Sequence, residues 1–147
     1  MILYINQILE LMKVPEVELL EEICKRTKER GLLSYKDLVA LSRVFGSRLR
    51  RALEALREKR VKRYVFSPSG RILWIVVGKE KEYIIMPAVN YCSCDDFYFR
   101  VMNSKVHLCY HIIAQKLAEA LKCYEDINCE DEYYDELVSE LKEENMK

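Results

Sequence analysis

The stretch 91–111, YCSCDDFYFRVMNSKVHLCYH, decides how the second half of this chain folds. It holds two compact pairs, Cys92-Ser93-Cys94 and Cys109-Tyr110-His111, with fourteen residues between them. Zinc takes four sulfur or nitrogen ligands in a tetrahedron, at about 2.3 Å for thiolate and about 2.0–2.1 Å for imidazole. In an extended strand, residues i and i+2 point to one side, so Cys92 and Cys94 can face one ion. A passage from strand into helix at Cys109 and His111 brings the second pair from the other side. The residues point to one structural Zn2+ held by Cys92, Cys94, Cys109 and His111. The blander alternative is a set of separately buried thiols with a surface histidine. His107, two residues before Cys109, competes with His111 as the fourth ligand. Three thiolates and one imidazole fill the tetrahedron, whereas catalytic zinc keeps a position open for water. Asp95 and Asp96 sit where a turn is expected, and Asp is common there for backbone reasons. The expectation is therefore a folding metal and no enzyme.

Working outward, the residues before this stretch have the order helix, helix, helix, hairpin. Residues 1–12 are apolar on most sides and read as a helix or strand that needs a covering surface. Pro15 opens a helix over 16–30, with Leu19, Leu20, Ile23, Cys24 and Thr27 at helical spacing and Gly31 as its stop. Ser34 with Asp37 reads as an N-cap and acidic first turn for a helix through Val44. After Phe45-Gly46, Ser47 restarts a helix whose Leu49, Ala52, Leu53 and Leu56 form one stripe. Residues 61–66 are strand-like, and Ser67-Pro68-Ser69-Gly70 suits a type I turn. The run 71–77 is β-branched and aromatic and predicts a well-buried strand. A second turn at Gly78 leads back through 83–86. Beyond Pro87, 91–94 and 97–102 read as short strands and 111–124 as a helix. The acidic end keeps Tyr133, Tyr134, Leu137, Val138 and Leu141 at helical intervals, as a mobile or partner-docked helix. The predicted fold is α+β: N-terminal helices with a winged-helix-like hairpin, a small antiparallel sheet and a zinc-bound ββα finger. Its divisions are 1–60 helical, 61–124 sheet and finger, and 125–147 acidic helix or tail.

The chain has 147 residues, half of them hydrophobic, enough for one cored domain with an extension. No run approaches the roughly 18 apolar residues of a membrane span. The apolar start lacks a basic leader and a small-residue cleavage site, so no signal peptide is expected. Six cysteines in such a chain favour metal binding over disulfides. Cys24, Cys123 and Cys129 are read as packing or exposed thiols. The expected location is cytoplasmic or nucleoid-associated, and nuclear in a eukaryote.

Net charge is zero, yet its placement is uneven. Residues 43–63 carry Arg43, Arg48, Arg50, Arg51, Arg57, Lys59, Arg60, Lys62 and Arg63 against only Glu54 and Glu58. In a winged helix the helix from Ser47 would read DNA and 67–71 would be the wing tip. These nine cations are the DNA-contact candidates, through salt-sensitive phosphate bonds. Glu54 and Glu58 among the arginines leave a salt-bridged solvated helix as an equal reading. Residues 125–147 carry ten acidic side chains against Lys142 and Lys147. The apolar start and the acidic aromatic end are candidate interfaces for a partner or an oligomer, with packing on the domain itself as a nearly equal reading.

Cys-x-Cys followed by Cys-x-His resembles the SWIM zinc finger. Val44-Phe45-Gly46, Ser67-Pro68-Ser69-Gly70-Arg71, Gly78, Phe97, Phe99 and the run from Leu108 through Ala114 extend the likeness to the small SWIM-domain subunit of Shu-type homologous-recombination complexes. The likeness spans about 44–121. It implies a non-enzymatic partner of a RecA/RadA-family recombinase paralogue. It also implies that the pair binds single-stranded or forked DNA and supports recombinase filaments. Many relatives place Pro after the second Cys, where Asp95 stands here, and Lys between the last Cys and His, where Tyr110 stands. The alternative function is a winged-helix-like transcription regulator with a structural zinc.

Overall fold

The computed structural model describes residues 2, 15–95, 97 and 108–146. Apart from Ile2, the apolar segment 1–12 lies outside the described residues. Helix α1 (Pro15–Arg30) begins on the proline, whose missing N–H costs nothing at a first helical position. Glu16 and Glu18 in its first turn and Lys28 and Arg30 in its last complement the helix dipole. Gly31, at φ 76°, ends it by donating its N–H to the Thr27 carbonyl at 2.8 Å. Helix α2 (Tyr35–Phe45) is capped by Ser34, whose hydroxyl accepts from the Asp37 N–H at 3.1 Å. Helix α3 (Ser47–Arg57) follows after Gly46, whose φ of +56° favours glycine.

The Asp37 carboxylate is buried and bonded to the Arg26 guanidinium at 2.8 Å. That bond, with a lesser contribution from Ser34, holds its pKa below the ordinary 3.8. A carboxyl whose folded pKa is depressed stabilises the fold above its unfolded pKa, and that contribution fades as pH falls toward the folded value. Asp37→Asn is expected to lower stability at pH 7 by about 1 kcal/mol. The gap between variant and parent should narrow below pH 3.8, measured by urea melts of both proteins across pH. A gap that stays constant into acid would refute the ionic origin.

Strands β1 (Val61–Ser67), β2 (Ile72–Val77), β3 (Glu82–Met86) and β4 (Tyr91–Cys92) run antiparallel, each beside the next. Between β3 and β4 lies a 3-10 turn, Pro87–Val89. Helix α4 (Tyr110–Leu121) lies across one face of the sheet, with α1 and α3 packed on it. Strand β5 (Glu125–Glu130) then joins the free edge of β1 in parallel, giving the order β4-β3-β2-β1-β5. Helix α5 (Tyr134–Met146) covers the opposite face.

The sheet is thus apolar on both faces. Val61, Trp74, Val76, Ile85 and Cys92 belong to the larger core with α1–α4. Phe66, Leu73, Ile75 and Ile84 form a second core closed by Leu141 of α5. Two-sided burial explains why β2 reads as a continuous apolar run instead of an alternating one. Helix α4 is buried nearly all round, with Ile112, Ile113, Ala114 and Leu117 fully enclosed.

The structure corrects several details of the sequence reading. The expected antiparallel sheet accounts for β1–β4 and gains a fifth strand, making it mixed. The Ser67–Pro68 bond is cis, and Gly70 N–H reaches back four residues to the Phe66 carbonyl at 2.7 Å, so the turn is not type I. Strand 91–94 stops at Cys92. Phe97 is helical where a strand was expected, and 98–102 lie outside the described residues. The helix expected to reach Tyr124 ends at Leu121 because Lys122 is left-handed, at φ 56°. Tyr124 instead meets Trp74 edge to face, with centroids 5.0 Å apart. The acidic end docks on this chain's own sheet through Leu141.

Candidate metal centre

Strand β4 hands the chain to the metal centre at Cys92. Ser93 prolongs the sheet pairing with its side chain as well as its backbone. Its N–H donates to the Ile84 carbonyl at 3.1 Å, and its hydroxyl accepts from the Ile84 N–H at 2.9 Å. Cys94 then occupies a bend, and its sulfur accepts from the Phe97 N–H at 3.3 Å. Cys109 is the N-cap residue of α4, extended at φ −80°, ψ 164°. Backbone N–H groups of Ile112 and His111 are directed at its sulfur. Cys109 therefore sits where backbone donors converge at the start of α4, the environment that stabilises thiolate over thiol. Same-side presentation from a strand, the reason expected for the Cys-x-Cys spacing, is replaced by this strand-then-bend geometry.

The donor atoms of Cys92, Cys94, Cys109 and His111 all lie within 4.8 Å of one another, and all four residues are buried. A tetrahedron with sulfur at 2.3 Å from its ion has edges of about 3.8 Å. Among the described residues this is the one such gathering of His, Cys, Asp or Glu. Burial, then contact with Cys109 and Cys94, pushes the Cys92 thiol up. Cys109 is held well below the usual thiol range, first by Cys92 and Cys94 and then by the two backbone donors.

His111 supplies the test of fit. It is 4% exposed, yet neither Nδ1 nor Nε2 has a hydrogen-bond partner among the described residues. A buried imidazole left unpaired on both nitrogens is costly, and a metal ion relieves one of them. Three soft sulfurs and an imidazole are the donor chemistry of structural zinc. The residues fit the ion. When bound, zinc ties β4, the Cys94 bend and α4 into one unit.

His107 and Asp96 lie outside the described residues, and Asp95 is exposed beside the cluster. Cys24 is half-buried, with its thiol pushed to about 11 by burial. Cys123 is exposed, and Cys129 packs beneath α5.

The nine candidate cations divide by partner. Arg48 bonds the Leu108 carbonyl at 2.7 Å and Glu16 at 3.1 Å, fixing α1, α3 and the finger together. Arg60 bonds the Val77 carbonyl at 2.9 Å and pairs with Glu58 at 2.8 Å. Arg63 grips Asp126 through two bonds, at 2.6 and 3.0 Å, and lies over Tyr124, riveting β5 to β1. Lys62 approaches Glu82 at 3.9 Å. Arg43, Arg50, Arg51, Arg57 and Lys59 are exposed without an ion pair among the described residues. The hairpin tip is occupied too: Asp131 accepts from the Ser69 hydroxyl at 2.6 Å and the Ser69 N–H at 2.9 Å. Arg71 lies on the Tyr134 ring at 4.1 Å.

A groove of about 640 Å³ runs between α3 and the metal cluster. Tyr83 forms part of its wall, its ring 4.5 Å from that of His111. Burial pushes the Tyr83 hydroxyl up to about 12, so it keeps its proton near neutrality. Gly78 makes room for this ring, since a Cβ there would stand 2.7 Å from Tyr83 Cε2. Sequence reasoning missed the groove because no local pattern announces that Tyr83 and Tyr110, distant along the chain, line one groove.

No helix among the described residues is long and apolar enough to cross a membrane. No protein-family model matches the chain, and no solved structure matches it. It is 32% identical over 131 residues to zinc finger SWIM domain-containing protein 7 of Mus musculus, covering 86% of each chain. The Homo sapiens protein of that name is 31% identical over 130 residues, covering 86% of this chain and 92% of its own. A homolog from Dictyostelium discoideum is 27% identical over 128 residues, covering 86% and 82%. With the Cys/His cluster assembled as such a finger requires, the chain belongs to the zinc finger SWIM domain-containing protein 7 family.

Proposed function

We propose that this protein is a non-enzymatic subunit, folded by one zinc ion, that pairs with a RecA/RadA-family recombinase paralogue. In that pair it assists DNA binding and recombinase filaments during homologous-recombination repair. The observation that carries the reading is the buried, complete donor set of Cys92, Cys94, Cys109 and His111, in a chain that resembles the SWIM subunit of Shu-type complexes. Three thiolates and an imidazole satisfy a zinc ion from the protein alone, which suits a folding role and leaves no ligand position for a reacting water. Exposed apolar residues, among them Leu32, Tyr35, Met86 and Val89, offer surface to a partner. The regulator alternative draws less support, because the Ser69 and Arg71 tip that would enter DNA is engaged by Asp131 and Tyr134.

Affinity purification of the zinc-loaded protein from native extract, with mass spectrometry of co-eluting chains, is expected to recover a RecA-like ATPase. Recovery of no such ATPase, with protection of a defined duplex palindrome instead, would move the assignment to the regulator. Hydrolytic turnover lost on chelation from protein that stays folded would return it to the enzymes.

A further inference from the structure

We infer that Arg48 is a positioning residue for the metal centre: it fixes the peptide carbonyl ahead of Cys109 and makes retention of the ion depend on Glu16 of α1. The inference rests on the zinc assignment and is independent of the partner reading.

Leu108 is fully buried, and its carbonyl needs a donor from the protein. Arg48 Nη1 supplies it at 2.7 Å. The same nitrogen reaches Glu16 Oε1 at 3.1 Å, and Nη2 reaches Glu16 Oε2 at 3.2 Å. One guanidinium thus grips a carboxylate with two arms and a carbonyl with one of them. Its face lies over the Phe45 ring, 5.0 Å from the centroid. Phe45 is itself buried in the larger core, so the ring is a fixed floor. Gly46, at φ +56°, turns the chain between ring and arginine, and the Phe45-Gly46 pair of the sequence thereby seats Arg48. The side chains of Arg48 and Glu16 are 15% and 14% exposed. In a pair this enclosed, removing one partner strands the other charge. Lysine is no substitute, because one ammonium cannot fork to the carboxylate while keeping the carbonyl and the ring.

The consequence falls on Cys109. Its sulfur is aligned by an extended backbone, at φ −80°, ψ 164°, and by donors of the first turn of α4. The carbonyl that Arg48 holds belongs to the peptide bond joining Leu108 to Cys109. That bond is planar, so the restraint passes directly to the nitrogen and Cα of Cys109. Cys109 is anchored on both sides, by α4 after it and by α3 and α1 before it. Groups that orient a ligand from behind usually change metal affinity by about 10–100-fold when removed. Asp37 with Arg26 provides the contrast. It too joins α1 to another helix through a guanidinium–carboxylate bond, at 2.8 Å, but that bond ends on α2 and carries no residue of the metal cluster.

Zinc-loaded full-length protein is mixed with excess chromogenic chelator well below the melting temperature of every variant, after elemental analysis of bound zinc. Arg48→Ala is expected to release zinc about tenfold faster than the parent, and Glu16→Gln about threefold faster. Arg48→Ala combined with Glu16→Gln should match Arg48→Ala alone, because the carboxylate reaches the centre through the guanidinium. Asp37→Asn, although less stable, should release at the parent's rate. Parent-like release from zinc-loaded Arg48→Ala overturns the inference. So do multiplying effects in the double variant, or equal acceleration by Asp37→Asn, which would mark simple destabilisation. Should Arg48→Ala fail to fold, Glu16→Gln against Asp37→Asn decides by the same comparison. A parent free of zinc sinks the metal assignment itself, whereas a zinc-bearing parent whose release rate Arg48→Ala leaves unaltered sinks the role of Arg48 alone.

Discussion

Replacing Cys109 with serine is expected to yield protein without zinc and without a cooperative fold in its second half. The sulfur of Cys109 lies where β4, the Cys94 bend and the start of α4 converge. Without an ion, the two remaining thiols and an imidazole stay packed together in the core, with both His111 nitrogens unpaired among the described residues. Each unsatisfied buried group costs about 1–3 kcal/mol. The lost ion costs far more. Structural zinc contributes about 10–16 kcal/mol in finger peptides, against a total stability of about 5–15 kcal/mol for an ordinary domain. Even a fraction of that figure removes most of the margin. Thermal melts by circular dichroism should show Cys109→Ser lowered by more than about 20 °C or without a sharp transition. Chelator should do the same to the parent protein, and added zinc should reverse it. The assignment fails if elemental analysis finds the parent free of metal while its melt is unaltered.

How far the sequence revealed this depends on whether the relevant physics is local. Ser34 announces α2 because capping is a contact between near neighbours. The two metal pairs stand out because ligand chemistry restricts residue type and spacing, and the fold draws them within 4.8 Å. Strand β5 shows the opposite case. Its Glu125, Asp126 and Glu130 read as part of an acidic tail, and only Ile127 and Cys129 turn toward the second core beside Tyr64 and Phe66. Parallel pairing with β1, some sixty residues earlier, leaves no adjacent hairpin signal. The arginines were likewise unsortable from composition. Arg63 and Arg57 look alike in sequence, yet one clamps Asp126 and the other faces solvent. Only the partner, distant along the chain, distinguishes a rivet from a free charge.

The acidic end yields the second large expected effect. Leu141→Ala should destabilise the zinc-saturated protein by about 2–5 kcal/mol, the usual range for emptying a leucine site in a core. In a domain near 150 residues that is roughly 4–20 °C in melting temperature, at 2–4 °C per kcal/mol. Leu141 is 2% exposed and closes the second core over Phe66, Leu73, Ile75 and Ile84. Tyr134 adds an edge-to-face contact on Phe66, with centroids 5.0 Å apart. Met146, on the same helix but 87% exposed, is the control, and Met146→Ala should fall within about 0.5 kcal/mol of the parent. The helix also reaches the metal centre. Asn145 donates from Nδ2 to the Glu82 carbonyl at 3.1 Å and to the Ser93 hydroxyl at 3.4 Å, the residue between Cys92 and Cys94. Ending the chain after Tyr133 should therefore do two things: expose a sheet face and hasten zinc release to a chromogenic chelator. A helix docked only by a partner would behave otherwise, since Leu141→Ala would then melt like the parent and truncation would leave zinc release unchanged.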